Sequence, residues 1–272
     1  MQILDARRVL SADKRGSSWP VLVETDEGLR FTKLRGAAQG TGALVAEVIV
    51  AELAEALGLR VPARALVRFA PEVESADKND ELADLLRASA GINLGFAYLE
   101  GARNFSPEAD VDLVMSNDAA AILWLDGLTS NPDRTSRNPN LLWWLDALWL
   151  IDHGAALAFQ YGLPNVDPAT ARRPYSIREP HLLQSRVTDL VDEDAGFAAL
   201  IAPDVIERAI AEIPDEFLVT LLTTDSLAER RAAYRDYLTR RLEAPRPFLE
   251  PVMVQVTQRP GRARPAWVNR GR

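Results

Sequence analysis

The sequence predicts an α+β protein, β-rich in its first part and mainly helical in its second, arranged as two lobes around a cleft. Three observations carry this reading. Short apolar or alternating runs bracketed by turn formers fill the first hundred residues, and longer Ala- and Leu-rich runs dominate after them. Between the two, Glu100-Gly101-Ala102-Arg103-Asn104 reads as a connector. The expected division is 1–100 for the first lobe, 101–250 for the second and 251–272 for a basic tail.

A strand is expected around Leu4 to Leu10, followed by a polar Gly- and Ser-bearing loop, Ala12 to Pro20. Val21 to Val23 and Leu29 to Leu34 flank the turn signal Asp26-Glu27-Gly28 and so form a hairpin. Past the Gly-rich stretch Gly36 to Gly42, Leu44 to Leu57 carries no Gly or Pro and reads as a mostly buried helix, which Gly58 ends. Val61 to Phe69 is strand-like, Pro71 to Asp80 a charged break, Glu81 to Ala88 a short helix and Ile92 to Leu99 another strand. Beyond the connector, Asp118 to Leu128 is helical, and Leu141 to Trp144 with Leu148 to Ile151 make a second hairpin. Val187 to Ile213 and Ser226 to Leu242 supply the remaining helices, the latter with Glu229, Arg230, Asp236 and Arg240 on an exposed face.

Composition narrows the function. With no Cys there is no disulfide framework, thiolate zinc site or cysteine nucleophile, and neither His153 nor His181 lies beside a Gly-x-Ser-x-Gly elbow. A net charge of −8 disfavours a nucleic acid as the main ligand. From Pro251 onward the charged side chains are all Arg, so the tail is basic while the body is more acidic; a solvated terminus is the ordinary reading. No apolar run reaches the roughly 20 residues of a membrane span and Met1 to Arg8 is too polar for a secretory signal, so a cytoplasmic location is expected.

The most informative segment is the polar loop Asn131 to Asn140, held between a helix and a strand. Asp133 precedes Asn138 by five positions, and Asp152 follows the second hairpin in Asp152-His153-Gly154. In phosphotransfer a carboxylate orients an acceptor hydroxyl and takes its proton, which suits Asp133. Hard Mg²⁺ prefers oxygen ligands, which suits Asn138 and Asp152. Lys33 ends the first hairpin and Glu47 lies on the next helix, where an ion pair would aim the ammonium at nucleotide phosphates. The turn Lys14 to Pro20, with Gly16, Ser17 and Ser18, would cover those phosphates with neutral donors.

Lys33, Glu47, Asp133 with Asn138, and Ile151-Asp152-His153-Gly154 together resemble the HipA-like branch of the kinase superfamily. Ala43 to Glu47, Leu57 to Pro62, Asp133 to Asn138 and Leu150 to Ala155 are the specific parts, within a likeness running from about Val21 to Phe159. The resemblance implies a protein-kinase-like fold, ATP and Mg²⁺ as cofactors, Lys33 on the ATP phosphates and Asp133 as the catalytic carboxylate. It also implies a hinge at Ala97, Tyr98 and Leu99 against adenine, Asn138 and Asp152 on the metal, and a protein substrate phosphorylated on Ser or Thr. The HipA toxin pattern has a His two residues after the catalytic Asp; Thr135 stands there in this chain, so toxin activity and its target are not carried over.

Each residue also has a plainer reading. A strand Lys is usually a surface charge, and Glu47 could face solvent. Asp126 competes with Asp133 for the catalytic role, or caps its helix or bonds to the loop backbone. Arg134 and Arg137 could neutralise phosphate or pair with carboxylates. His153 is expected to be a hydrogen-bonded structural residue, Trp143, Trp144 and Trp149 to pack core beneath the site, and His181 has no assigned partner. Two other functions remain open: a nucleotide-binding pseudokinase engaging a partner protein, and a small-molecule or lipid kinase.

Overall fold

The computed structural model describes residues 1–13, 19–176, 179–188, 190–221 and 223–257. Its first part contains β1 (Ile3–Ala12), β2 (Val21–Thr25), β3 (Gly28–Lys33), α1 (Gly40–Ala56), β4 (Arg64–Phe69), β5 (Glu74–Ser75), α2 (Asp80–Ala88) and β6 (Gly91–Ala97). β1 bends. Ile3 to Asp5 lie parallel to Leu66 to Arg68 of β4, whereas Ala6 to Ala12 run antiparallel to β2, with register slips between Ala6 and Arg8 and between Val9 and Ser11. The short β5 also pairs with β1, through Arg8 and Val9, and because β1 joins both β2 and β4 the order β2-β3-β6-β4-β1 closes into a ring. Within it Val9, Val21, Val23, Leu34, Val67 and Phe69 pack against Leu82 and Leu86, which lie one turn apart on α2. Asn79 caps that helix, its side chain accepting from the Leu82 N–H at 3.0 Å.

α1 is apolar around most of its circumference and buried accordingly, from Thr41 to Ala51 and again at Leu53 and Ala54. It ends where Gly58 turns left-handed (φ +77°), with Leu59 N–H donating to the Ala54 carbonyl and Gly58 N–H to that of Glu55.

The second part adds β7 (Arg103–Asn104), α3 (Pro107–Asp110), α4 (Ser116–Thr129), β8 (Leu141–Trp144), β9 (Ala147–Leu150), α5 (Val191–Leu200), α6 (Pro203–Ala211), α7 (Asp215–Val219), α8 (Leu227–Leu242) and α9 (Leu249–Thr257). β7, β8 and β9 form a small antiparallel sheet. α4 is buried from Ala119 to Thr129, with Trp124 at its centre against Phe197 and Phe248. A single apolar cluster runs from Leu66, Leu94 and Phe96 of the ring through α1 and α4 to Tyr234, Phe248 and Val252, so the two parts share a core. Among the described residues no helix is long and apolar enough to cross a membrane.

Two expectations are corrected. Val187 to Ile213 is not one helical stretch: Pro203 cannot donate a backbone hydrogen bond and instead opens α6, two residues after Ile201 closes α5. The tail does not begin at position 251, because α9 crosses it and buries Val252 and Val256. The rest of the expected tail lies outside the described residues.

Candidate active site

Lys33 is the last residue of β3, and its side chain reaches Glu47 of α1. Its ammonium lies 2.5 Å from Glu47 Oε1 on α1 and 2.5 Å from Asp152 Oδ1, contributed by the segment after β9. Residues 119 positions apart are thereby joined. Glu47 is fully buried, and the His153 N–H also donates to its Oε1 at 2.8 Å. Asp152 is left-handed (φ +56°), a conformation an Asp tolerates better than most residues. Two positions on, Gly154 lies so close to α1 that an added Cβ would sit 3.2 Å from that of Ala43.

The electrostatics follow from one ammonium facing two carboxylates. Burial alone would lower the Lys33 pKa, but Glu47 and Asp152 outweigh it and raise it to about 12. Burial pushes the Glu47 carboxyl up against the pull of Lys33. Asp152, whose side chain is 37% exposed, is held below the usual carboxylate range because Lys33 outweighs its desolvation. The cluster is under-satisfied: Glu47 Oε2 and both ring nitrogens of the fully buried His153 have no hydrogen-bond partner among the described residues. His153 is therefore hydrogen-bonded, as expected, through its backbone N–H and not through its ring. Desolvation dominates its titration and lowers it to about 3, so the ring is neutral.

The loop between α4 and β8 carries Asp133, which is half-buried. Asn138 Nδ2 donates to Asp133 Oδ2 at 2.8 Å, and Asn140 Nδ2 reaches the same oxygen at 3.3 Å. Thr135 closes the loop on itself: its N–H donates to the Asn138 carbonyl and its hydroxyl accepts from the Asn138 N–H. Asp133 and Asn138 are thus together, as are Lys33, Glu47 and Asp152. The groups are tied through backbone at Asn140, whose carbonyl accepts from Ile151 N–H (3.1 Å), next to Asp152, and from Arg134 (2.6 Å).

Beneath this loop lies a network that the sequence reading missed. Asp126, in the last turn of α4, is fully buried and accepts from Arg134 Nε (2.7 Å), His181 Nε2 (2.9 Å) and Asn131 Nδ2 (3.0 Å). Burial opposes its charge, but Arg134 and His181 outweigh burial and hold the carboxyl well below its ordinary range. Arg134 is spent on a carboxylate rather than left for phosphate, and His181 has a partner after all. A signal was present: Asp126 is the one charged residue in Ala119 to Leu128, and a carboxylate in an all-apolar helix must be paired. The identity of the pair was not legible, since His181 lies 55 positions away.

The remaining candidates fall as follows. Gly16, Ser17 and Ser18 lie outside the described residues. Ala97, Tyr98 and Leu99 lead from β6 to β7, and the N–H groups of Ala97 and Tyr98 donate to the Ala63 and Leu29 carbonyls. Trp143, Trp144 and Trp149 are only partly buried, Trp143 stacking on Phe105 and Trp144 meeting Trp149 edge-on; they pack around the small sheet. Arg137 is exposed and 3.9 Å from Glu179.

As a donor set, Asp152 and Asn138 offer a carboxylate and an amide oxygen, the amide nitrogen being bonded to Asp133. Oxygen donors beside a cluster with a surplus carboxylate suit a hard cation and an anion bound together. Among the described residues no group of three or more His, Asp or Glu could hold a metal alone. Such an ion would have to share ligands with what it binds.

Comparison with known proteins gives the family and a fold neighbour. A family model described as HipA-like kinase matches residues 7–240. A solved structure, the Helicobacter pylori proinflammatory kinase CtkA, superposes with a TM-score of 0.54 at 12% identity, covering 91% of this chain and 96% of that one. At that identity the likeness is one of fold. No curated protein matches the sequence.

Proposed function

We propose, from the premise that this chain belongs to the HipA-like kinase family and is a phosphotransferase, that it transfers the γ-phosphoryl group of Mg²⁺-bound ATP to a Ser or Thr hydroxyl of a cytoplasmic protein. The architecture is read as two kinase-like lobes, 1–100 and from 101 through α9, with the nucleotide between them. The observation that carries this reading is Lys33 Nζ within 2.5 Å of both Glu47 and Asp152, which brings ring, α1 and the Asp152 turn to one point.

Bound Mg²⁺ and ATP supply the transferable phosphoryl group and the neutralisation of its charge. Lys33 offers its remaining N–H to phosphate oxygens, while Glu47, fixed on α1 and braced by the His153 N–H, keeps the ammonium in place. Asp152 and Asn138 would hold the metal through oxygen. Asp133 orients the acceptor hydroxyl and receives its proton as the acceptor oxygen bonds to γ-phosphorus and the bond to ADP breaks. Ala97 to Leu99 line the adenine side.

The test uses purified protein with γ-labelled ATP and Mg²⁺. Asp133→Asn is expected to abolish transfer to the protein itself or to an acceptor while nucleotide binding by calorimetry survives. Undiminished transfer in that variant would remove Asp133 from the chemistry, and binding without transfer in the wild type would favour the pseudokinase.

A further inference from the structure

Asp126 is the point to which both flanks of Asp133 are tied. On the N-terminal side, Asn131 donates its side-chain amide to Asp126 Oδ1 and its backbone N–H to the Asp126 carbonyl (2.8 Å), while its Oδ1 accepts the Asp133 N–H at 3.2 Å. On the C-terminal side, Arg134 donates Nε to Asp126 Oδ2. Asp133 is thus held between two residues anchored on one buried carboxylate. A third element reaches the anchor from outside the loop. His181 donates to Oδ2, and the next residue, Leu182, gives its N–H to the Arg134 carbonyl at 3.1 Å.

The hydrogen bonds fix the imidazole's tautomer. Nδ1 accepts the Leu183 N–H at 3.1 Å, so the proton is on Nε2, where it is donated to Asp126. His181 and Leu182 therefore clamp the loop at two points, one on the anchor and one on the residue next to Asp133. Leu182 and Leu183 are themselves buried in the shared core, which makes the clamp rigid.

We infer that His181 is a positioning residue for phosphoryl transfer: through Asp126 it fixes the backbone that aims Asp133, without touching nucleotide or acceptor. This rests on the reading of Asp133 given above. Lys33 and Glu47 lie on β3 and α1, outside the loop that His181 holds, so nucleotide binding depends on His181 less than transfer does.

The experiment compares His181→Leu, His181→Gln and His181→Asn. A Gln side chain can present an N–H where Nε2 stood and keep the bond to Asp126; an Asn side chain can accept from Leu183 but cannot reach Asp126. In His181→Leu and His181→Asn, kcat is expected to fall about 10- to 100-fold, the cost of a misaimed catalytic group, with a much smaller change in KM for ATP. His181→Gln is expected to recover most of the rate. Amide exchange over residues 131–140 should quicken in the Leu and Asn variants alone. The inference is overturned if Asn rescues and Gln does not, which would make the Leu183 turn the feature that matters. It is equally overturned if kcat per folded molecule and loop exchange stay at wild-type values in His181→Leu. Asp133→Asn is run alongside: if it keeps full transfer, the reading of Asp133 fails and takes this inference with it. If Asp133→Asn is dead and His181→Leu fully active, the inference alone fails.

Discussion

The molecule contains two buried charge clusters built on opposite terms. Around Lys33, one cation meets two carboxylates from separate elements, Asp152 remains partly exposed, and Glu47 Oε2 has no partner among the described residues. Around Asp126, one carboxylate meets one guanidinium, a His and an Asn, every member is buried, and both carboxylate oxygens are occupied. The difference teaches which cluster can change partners. A network with surplus negative charge and unused hydrogen-bonding capacity can admit a metal and phosphates; a saturated one can only hold its shape.

The largest effect that tests this contrast is on stability. Asp126→Ala leaves Arg134 buried and uncompensated and is expected to cost about 3–5 kcal/mol in denaturant unfolding. A loss under about 1 kcal/mol would mean that the saturated cluster is not the fixed one. Next, Mg²⁺ with a non-hydrolysable ATP analogue at a hundredfold over Kd should stabilise the wild type by about 2.7 kcal/mol in the same measurement. Asp152→Asn is expected to lose the metal-dependent share of that gain.

His153 lies between the clusters, its titration felt by Arg134 and Asp126 as well as by Lys33 and Asp152. Its folded-state pKa of about 3 is below the ordinary 6.5, so as pH falls below 6.5 the unfolded chain takes up a proton that the folded one refuses. Stability should drop through the window from 6.5 toward 3, by about 1 kcal/mol between pH 6.5 and 5.5. His153→Leu should flatten that upper limb, and an unchanged slope would place the His153 ring in water. The smallest effect is expected for Glu47→Gln. Removing a costly buried charge while Asp152 still partners Lys33 should leave stability within about 1 kcal/mol of wild type, although ATP binding weakens. A loss as large as that of Asp126→Ala would erase the distinction between the clusters.

What the sequence made legible follows the same division. Lys33 at a strand end, Glu47 on a breaker-free helix and Asp152 after a hairpin could be read because each sits in a local pattern of period, turn or cap. Much of the order of elements was legible for the same reason, including the helix end at Gly58. The ring's closure was not, since it depends on one strand pairing with β2 and with β4 some sixty residues on. Nor was the partnership of Asp126 with His181, which joins a helix to an irregular segment with no periodicity to announce it. The break at Pro203 was available in the residue type itself.

The burial of α1 has a consequence for control. In many phosphotransfer enzymes the helix bearing the lysine's glutamate rotates outward to disarm the site. Here that helix is wedged against α4, α6 and α7, and Leu44, Val48, Ile49 and Leu53 are each buried to within 2% exposure. At about 1.5–3 kcal/mol for each such side chain, swinging it out would cost as much as unfolding a small domain. An off-state that swings the whole of α1 outward is therefore costly in this protein.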